Sequence, residues 1–160
     1  MEIKTVRLEI PEGANIIFGQ SHFIKTAEDL YEIMVGAVPS AKFGLAFSEA
    51  SGHCLIRSEG NDPDLVAVAR SNAAQVGAGH TFIIVLKDAF PINCLNAVKQ
   101  CQEVCTVYCA TANAVEVIIA ETENGRGVLG VIDGSSPKGI EDTAGVEWRR
   151  KLLRDFKYKL

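Results

Sequence analysis

The chain has 160 residues, is 48% hydrophobic and carries a formal net charge of −4 at pH 7. Such a chain buries a full core as one domain, which excludes a disordered polymer and a small disulfide-stapled scaffold. No apolar run approaches the ~20 residues of a membrane-spanning helix, and the first residues lack signal-peptide anatomy; a cytoplasmic location is the expectation.

The predicted elements follow in chain order. Lys4 to Ile10 alternates polar and apolar residues, as a half-buried strand does. Pro11-Glu12-Gly13 turns the chain, and Asn15 to Gly19 returns as a second strand. Thr26 reads as an N-cap, with Asp29 three residues on. Leu30, Ile33, Met34 and Ala37 form a helical stripe that Pro39 ends. Phe43 to Phe47 and Cys54 to Arg57 read as two strands. Asp62 followed by Pro63 is a helix start, and Leu65, Val68, Ala69, Asn72, Ala73 and Val76 line one face up to a C-terminal cap at Gly77.

Thr81 to Leu86 is continuously apolar and β-branched, which predicts a central strand covered on both faces. Pro91 opens a helix that runs to about Glu103. Thr106 to Cys109, Val115 to Ala120 and Val128 to Ile132 are three more strands, and a last helix follows Pro137 with Glu141 and Asp142 in its first turn. The order is β-β-α-β-β-α-β-α-β-β-β-α. Hairpins mixed with crossovers predict an α/β domain bordering on α+β, with about four helices on a mixed sheet.

Five cysteines, an odd number, read as reduced thiols. Cys94, Cys101 and Cys105 share a helical face with Val98 on this reading, and no C-x-x-C suggests a metal cluster. Residues 149–160 hold six Lys or Arg against one acid, Asp155. That run suits the end of a solvated helix better than a nucleic-acid surface, since few aromatics accompany it.

Four stretches carry groups capable of chemistry. His80 stands after Gly77-Ala78-Gly79, between a helix end and a central strand, where ligands gather in open sheets. Its imidazole suits a base or a nucleophile toward phosphorus, against the plainer role of a half-buried ring. His22 and His53 stand in loop contexts. Ser48 and Glu49 end a strand, and Arg57 suits a bidentate phosphate contact. Gly60-Asn61-Asp62 follows, with Asp62 better explained as a helix cap. Cys109 to Asn113 ends a strand with the polar groups of Thr111 and Asn113.

Gly125, Gly127 and Gly130 spell a literal G-x-G-x-x-G. It follows the hairpin pair Asn124-Gly125 and runs into a strand, whereas the dinucleotide fingerprint follows a strand and opens a helix. A Rossmann enzyme is excluded on that context. Arg126 at the turn, Asp133 at the strand end and Lys138 beyond it remain as charged neighbours for a phosphate, a hydroxyl or Mg²⁺. A surface salt-bridged loop accounts for them equally. No Walker or protein-kinase signature is present.

Five strings, F-S-E-A-S-G from Phe47, G-N-D from Gly60, G-H-T-F from Gly79, C-A-T-A-N from Cys109 and G-R-G-V-L-G-V-I-D-G from Gly125, together resemble the adenosine-specific kinase family. The likeness runs nearly end to end. Ala114 departs from the proline expected after C-A-T-A-N and touches only a local turn. The resemblance implies adenosine or AMP as ligand, a histidine that carries phosphate, a donor such as ATP with Mg²⁺, and a trimeric or higher homo-oligomer. His80 is the implied carrier ahead of His22 and His53; on the reading of the residues Asp133 is the second catalytic group, with Asp133 or Glu49 holding Mg²⁺ or the hydroxyl. Ser48, Glu49, Arg57, Asn61, Gly79, Thr111, Asn113, Arg126 and Lys138 are the expected ligand-binding residues. The competing expectation is an adenosine or AMP sensor without turnover.

Overall fold

A computed structural model describes all 160 residues. Its elements are β1 (Glu2–Arg7), β2 (Asn15–Ser21), α1 (Thr26–Ala37), β3 (Lys42–Ser48), β4 (Ile56–Gly60), α2 (Pro63–Val76), β5 (Thr81–Lys87), α3 (Pro91–Gln100), β6 (Val104–Thr111), β7 (Val115–Thr122), β8 (Gly125–Asp133) and α4 (Thr143–Asp155). The order is the expected one, and the chain mixes helix and strand in one α/β architecture. The strands divide between two antiparallel sheets, β4-β3-β5-β2-β6 and β1-β7-β8. The one parallel contact is an isolated bridge between Ala78 and Arg126.

β5 lies at the centre of the larger sheet, and alternation explains its unbroken apolar sequence. Ile83 and Val85 enter a core with α2 and the small sheet. Phe82, Ile84 and Leu86 enter a second core with α1 and α3. Successive residues of a strand point to opposite faces, so a strand covered on both sides has no polar face to show.

Asp62 caps α2 by accepting from the backbone N–H groups of Asp64 and Leu65, and Gly77 closes the helix in the left-handed region at φ 60°. Thr26 is the first helical residue of α1 rather than its cap. Its hydroxyl is spent on Phe23 O (2.6 Å) and Ser21 Oγ (2.9 Å). β1 ends at Arg7 because the Asn72 side chain takes both the N–H and the C=O of Glu9 and draws the chain out of the small sheet. α3 ends at Gln100, so the three cysteines do not share a helical face. Cys94 is on the helix, Cys101 follows its end, and Cys105 is exposed on β6. None of the helices is long and apolar enough to cross a membrane.

Candidate functional site

One end of the five-stranded sheet gathers the C-terminal ends of β2 and β3 with the N-terminal ends of β4, β5 and β6. His80 sits there, one residue before β5, with φ 62°. A left-handed conformation at a residue with a Cβ costs free energy and is retained only where the surroundings impose it. They do so on both sides. The His80 N–H donates to Ser48 O (2.7 Å), and its C=O accepts from the Ser21 N–H (2.9 Å). The ring stacks on buried Phe47, with centroids 5.9 Å apart at 21°, and meets the His22 ring edge-on at 6.0 Å. Gly79 admits no side chain, because a Cβ there would lie 2.8 Å from Ala50 Cβ.

Arg57 lies opposite Phe47 in the β3–β4 ladder, so both project from one face. Its Nη2 donates to Glu49 Oε1 (2.9 Å), while Glu49 Oε2 accepts from the Leu55 N–H (2.8 Å). The Leu55 N–H and then the guanidinium hold the Glu49 carboxyl below its usual range. Glu49 is thus a fixed anion and a poor proton acceptor. Ser48 Oγ and Arg57 Nε are buried without a hydrogen-bond partner. Buried polar atoms are nearly always paired, and leaving one unpaired costs ~1–3 kcal/mol. Alternation along β3 sends the Ser48 hydroxyl to the face opposite Phe47, so Arg57 Nε is the unpaired atom on the face that carries Phe47 and the His80 ring stacked on it, open to a further polar group.

The structure brings together Ser48, Glu49, Arg57, Gly79 and His80, and it places the other expected residues elsewhere. Asn61 is spent on backbone at the opposite end of β3, accepting from Phe43 N–H and donating to Ala41 O (both 2.8 Å). Asn113 ties the β6–β7 turn together, accepting nothing from His80's neighbourhood: its N–H donates to Thr111 Oγ1 (2.9 Å) and its Nδ2 to Asp133 Oδ1 (3.1 Å). Arg126 lies near Ala78, but its guanidinium is engaged by Glu121 (2.7 Å) and by the carbonyls of Gln75 (3.0 Å) and Val76 (3.4 Å). Asp133 is seven residues along β8 from Arg126, on the order of 20 Å at the rise of a strand. Within one chain Asp133 therefore cannot share a reacting atom with His80. Lys138 is exposed in the stretch between β8 and α4.

His22 is the neighbour that sequence reasoning ranked below His80. Its nearness to His80 depends on β2 pairing with β5, and pairing partners leave no local signal. A second unforeseen group adjoins it. Asp29, Cys101 and Glu103 offer ligand atoms within 4.8 Å of one another, and the His22 N–H donates to Glu103 O (2.7 Å). The Lys25 ammonium already serves this cluster, bonded to Asp29 and 3.7 Å from Glu103 Oε1. A thiol among the donors suits Mg²⁺ poorly.

A scan of family models matches "Adenosine specific kinase" over residues 6–159. The chain belongs to the adenosine-specific kinase family. Among solved structures this family member is similar to the PH1918 protein from Pyrococcus horikoshii OT3, with 44% identity, 99% of this chain and 98% of that chain covered, and a TM-score of 0.95. A search of curated proteins returned no match.

Two buried thiols give this adenosine-specific kinase relative an alkaline limit. Burial, aided by the Glu103 carboxylate, pushes Cys101 up from 9.0 to about 11, and burial pushes Cys109 up to about 11. The fold favours the neutral thiol, so its stabilisation is complete below pH 9 and is lost as pH rises toward 11. By pH 10.5 the loss is on the order of 1 kcal/mol per thiol after solvent screening. Urea midpoints at pH 8 and pH 10.5 measure it, and Cys109→Ala is expected to flatten the slope by about half.

Proposed function

We propose that the protein binds adenosine or AMP and transfers a phosphoryl group through His80. The observation that carries this reading is the strained, half-buried His80, whose ring stacks on Phe47 while Arg57, the ladder partner of Phe47, leaves its Nε buried and unpaired. Membership of the family supports the nucleoside. A neutral imidazole nitrogen attacks the terminal phosphorus of a donor such as ATP. An N–P bond forms, the bond from phosphorus to the bridging oxygen breaks, and ADP leaves with that electron pair. The adenosine 5′-hydroxyl oxygen then attacks the phosphorus, the N–P bond breaks, and the hydroxyl proton passes to the imidazole. Arg57 shares the face of Phe47 and keeps its Nε free while Nη2 holds Glu49, which makes it the cation for the phosphoryl oxygens; Arg126 is occupied by carbonyls and Glu121. No all-oxygen carboxylate cage adjoins His80, so Mg²⁺ enters on the donor's phosphates. The working form is a cytoplasmic homo-oligomer, in which Asp133 or Lys138 of a second copy completes the site.

A second reading, a nucleoside sensor without turnover, rests on one observation. A cleft of about 800 Å³ lies at the other end of the molecule, lined by Arg7, Glu9, Asn15, Phe90, Ala112 and Ala114 among others. That volume suits a nucleoside, and it is remote from His80.

Adenosine, ATP and Mg²⁺ incubated with the protein separate the two readings by time-course chromatography, with calorimetry for binding. AMP and ADP appearing in equal amounts is the expected result. Adenosine binding with no AMP formed would leave the sensor, and no binding would overturn both.

A further inference from the structure

The turn between α3 and β6 presents two metal-ligating side chains to a third on α1. The Cys101 N–H donates to Val98 O (3.1 Å), and its C=O accepts from the Val104 N–H (3.0 Å), so residues 101–104 make a tight turn. Within it the Glu103 C=O accepts from the His22 N–H (2.7 Å). These bonds fix the backbone beneath both side chains. Asp29 stands in the first turn of α1, which packs on α3. One ligand atom each of Asp29, Cys101 and Glu103 lies within 4.8 Å of the others.

The buried member of this group is left short of partners. The Glu103 side chain is only 5% exposed. Its Oε2 accepts from the Cys101 thiol (2.9 Å), but its Oε1 is buried with no hydrogen bond. Buried carboxylate oxygens are normally saturated by donors or by a metal. This one faces the Lys25 ammonium at 3.7 Å, too far for a bond, because that ammonium is bonded to Asp29. Lys25 therefore marks where a cation belongs without filling the place. Its side chain is 45% exposed, and an exposed ion pair of this kind contributes little, so the ammonium is readily exchanged.

We propose that Asp29, Cys101 and Glu103 form a site for one divalent transition metal of the zinc class, which displaces the Lys25 ammonium. Two carboxylates with a thiolate suit a borderline ion that accepts both oxygen and sulfur, whereas Mg²⁺ and Ca²⁺ reject the sulfur. Metal–ligand bonds of ~2.0–2.3 Å set tetrahedral edges of ~3.4–3.7 Å, which small side-chain rotations reach from the observed spacing. The fourth position falls to water on the side that Lys25 vacates. As the sulfur–metal bond forms, the Cys101 proton passes to solvent. Charge is conserved in the exchange: two carboxylates with an ammonium carry one net negative charge, and two carboxylates with a thiolate and a dication carry the same. The ion ties α1 to the α3–β6 turn, and through the Glu103 carbonyl to the backbone of His22.

The site is independent of the nucleoside reading, and its test needs no activity. Co²⁺ is titrated into reduced, chelator-stripped protein and followed by absorption. The expected result is a sulfur-to-cobalt charge-transfer band in the near ultraviolet that saturates at one equivalent and is bleached by Zn²⁺. Cys101→Ser should abolish the band, while Cys54→Ser and Cys105→Ser keep it. Circular dichroism melts verify that each variant folds. Asp29→Asn, at the solvent side of the cluster, gives a second reading. It should weaken Co²⁺ binding by about tenfold or more, at least the loss expected for an outer-shell partner. Lys25→Met removes the competing ammonium and should tighten binding by about fivefold, the exchange of one exposed ion pair. The absence of a band in the parent protein overturns the site, as does a band that survives Cys101→Ser or is lost in Cys105→Ser. Unchanged affinity in Asp29→Asn, or weaker binding in Lys25→Met, overturns it equally.

Discussion

His80→Asn is expected to abolish phosphate incorporation from γ-labelled ATP, by a factor of about 10³ or more, while the protein stays folded. Asparagine tolerates the left-handed conformation that His80 adopts at φ 62°. Its backbone also keeps the bonds to Ser48 O and from Ser21 N–H. The expected change in unfolding free energy is therefore within about 1 kcal/mol, which separates chemistry from scaffolding. His22→Asn, whose ring lies 6.0 Å from that of His80, should retain the label. Acid-labile, base-stable radioactivity on the protein gives the readout. Label lost in His22→Asn but kept in His80→Asn would move the phosphate carrier to β2.

Gly44→Ala is expected to be the most damaging single methyl group. α2 crosses β3 so closely that a Cβ at Gly44 would stand 2.1 Å from Val66 N and 2.2 Å from the Leu65 carbonyl carbon. Both obstacles are backbone, so no rotamer relieves them and the helix must lift from the sheet. Overpacking of this kind costs about 3 kcal/mol or more, a large part of the ~5–15 kcal/mol that holds a domain together. Gly36→Ala is the matched control. Gly36 lies in α1 with nothing within 4 Å of its would-be Cβ, and alanine there should stabilise by roughly 0.5–1 kcal/mol through helix propensity. Urea midpoints of the two variants should move in opposite directions.

The order of elements was legible because each is announced locally: Asp62-Pro63 at a helix start, Gly77 at its end, the unbroken apolar β5 at the centre. Pairing between strands was not, since register depends on partners distant in the chain. The consequences appear at particular residues. Asn61 looks like a ligand group in sequence, yet its amide fastens the start of β3. Asp133 and Arg126 share a short glycine-rich string, yet a strand carries them to opposite ends of the small sheet. His22 and Glu103 lie far from His80 in sequence and beside it, or beside its neighbour, in space. The Ser48–His80 half of the site was readable because the end of β3 and the start of β5 are both marked by strand-end residues. Ser48 and Arg57 stood out as polar residues, but their unpaired atoms follow only from burial.

The Arg126 clasp gives the molecule a mechanical linkage. Its guanidinium grips the last carbonyls of α2, and its backbone bridges Ala78, two peptide units before His80. The small sheet and the strained histidine are thus joined by one short lever. A load placed on β8, by whatever rests on that sheet, tugs on the residue whose torsion angle already lies away from its preferred range.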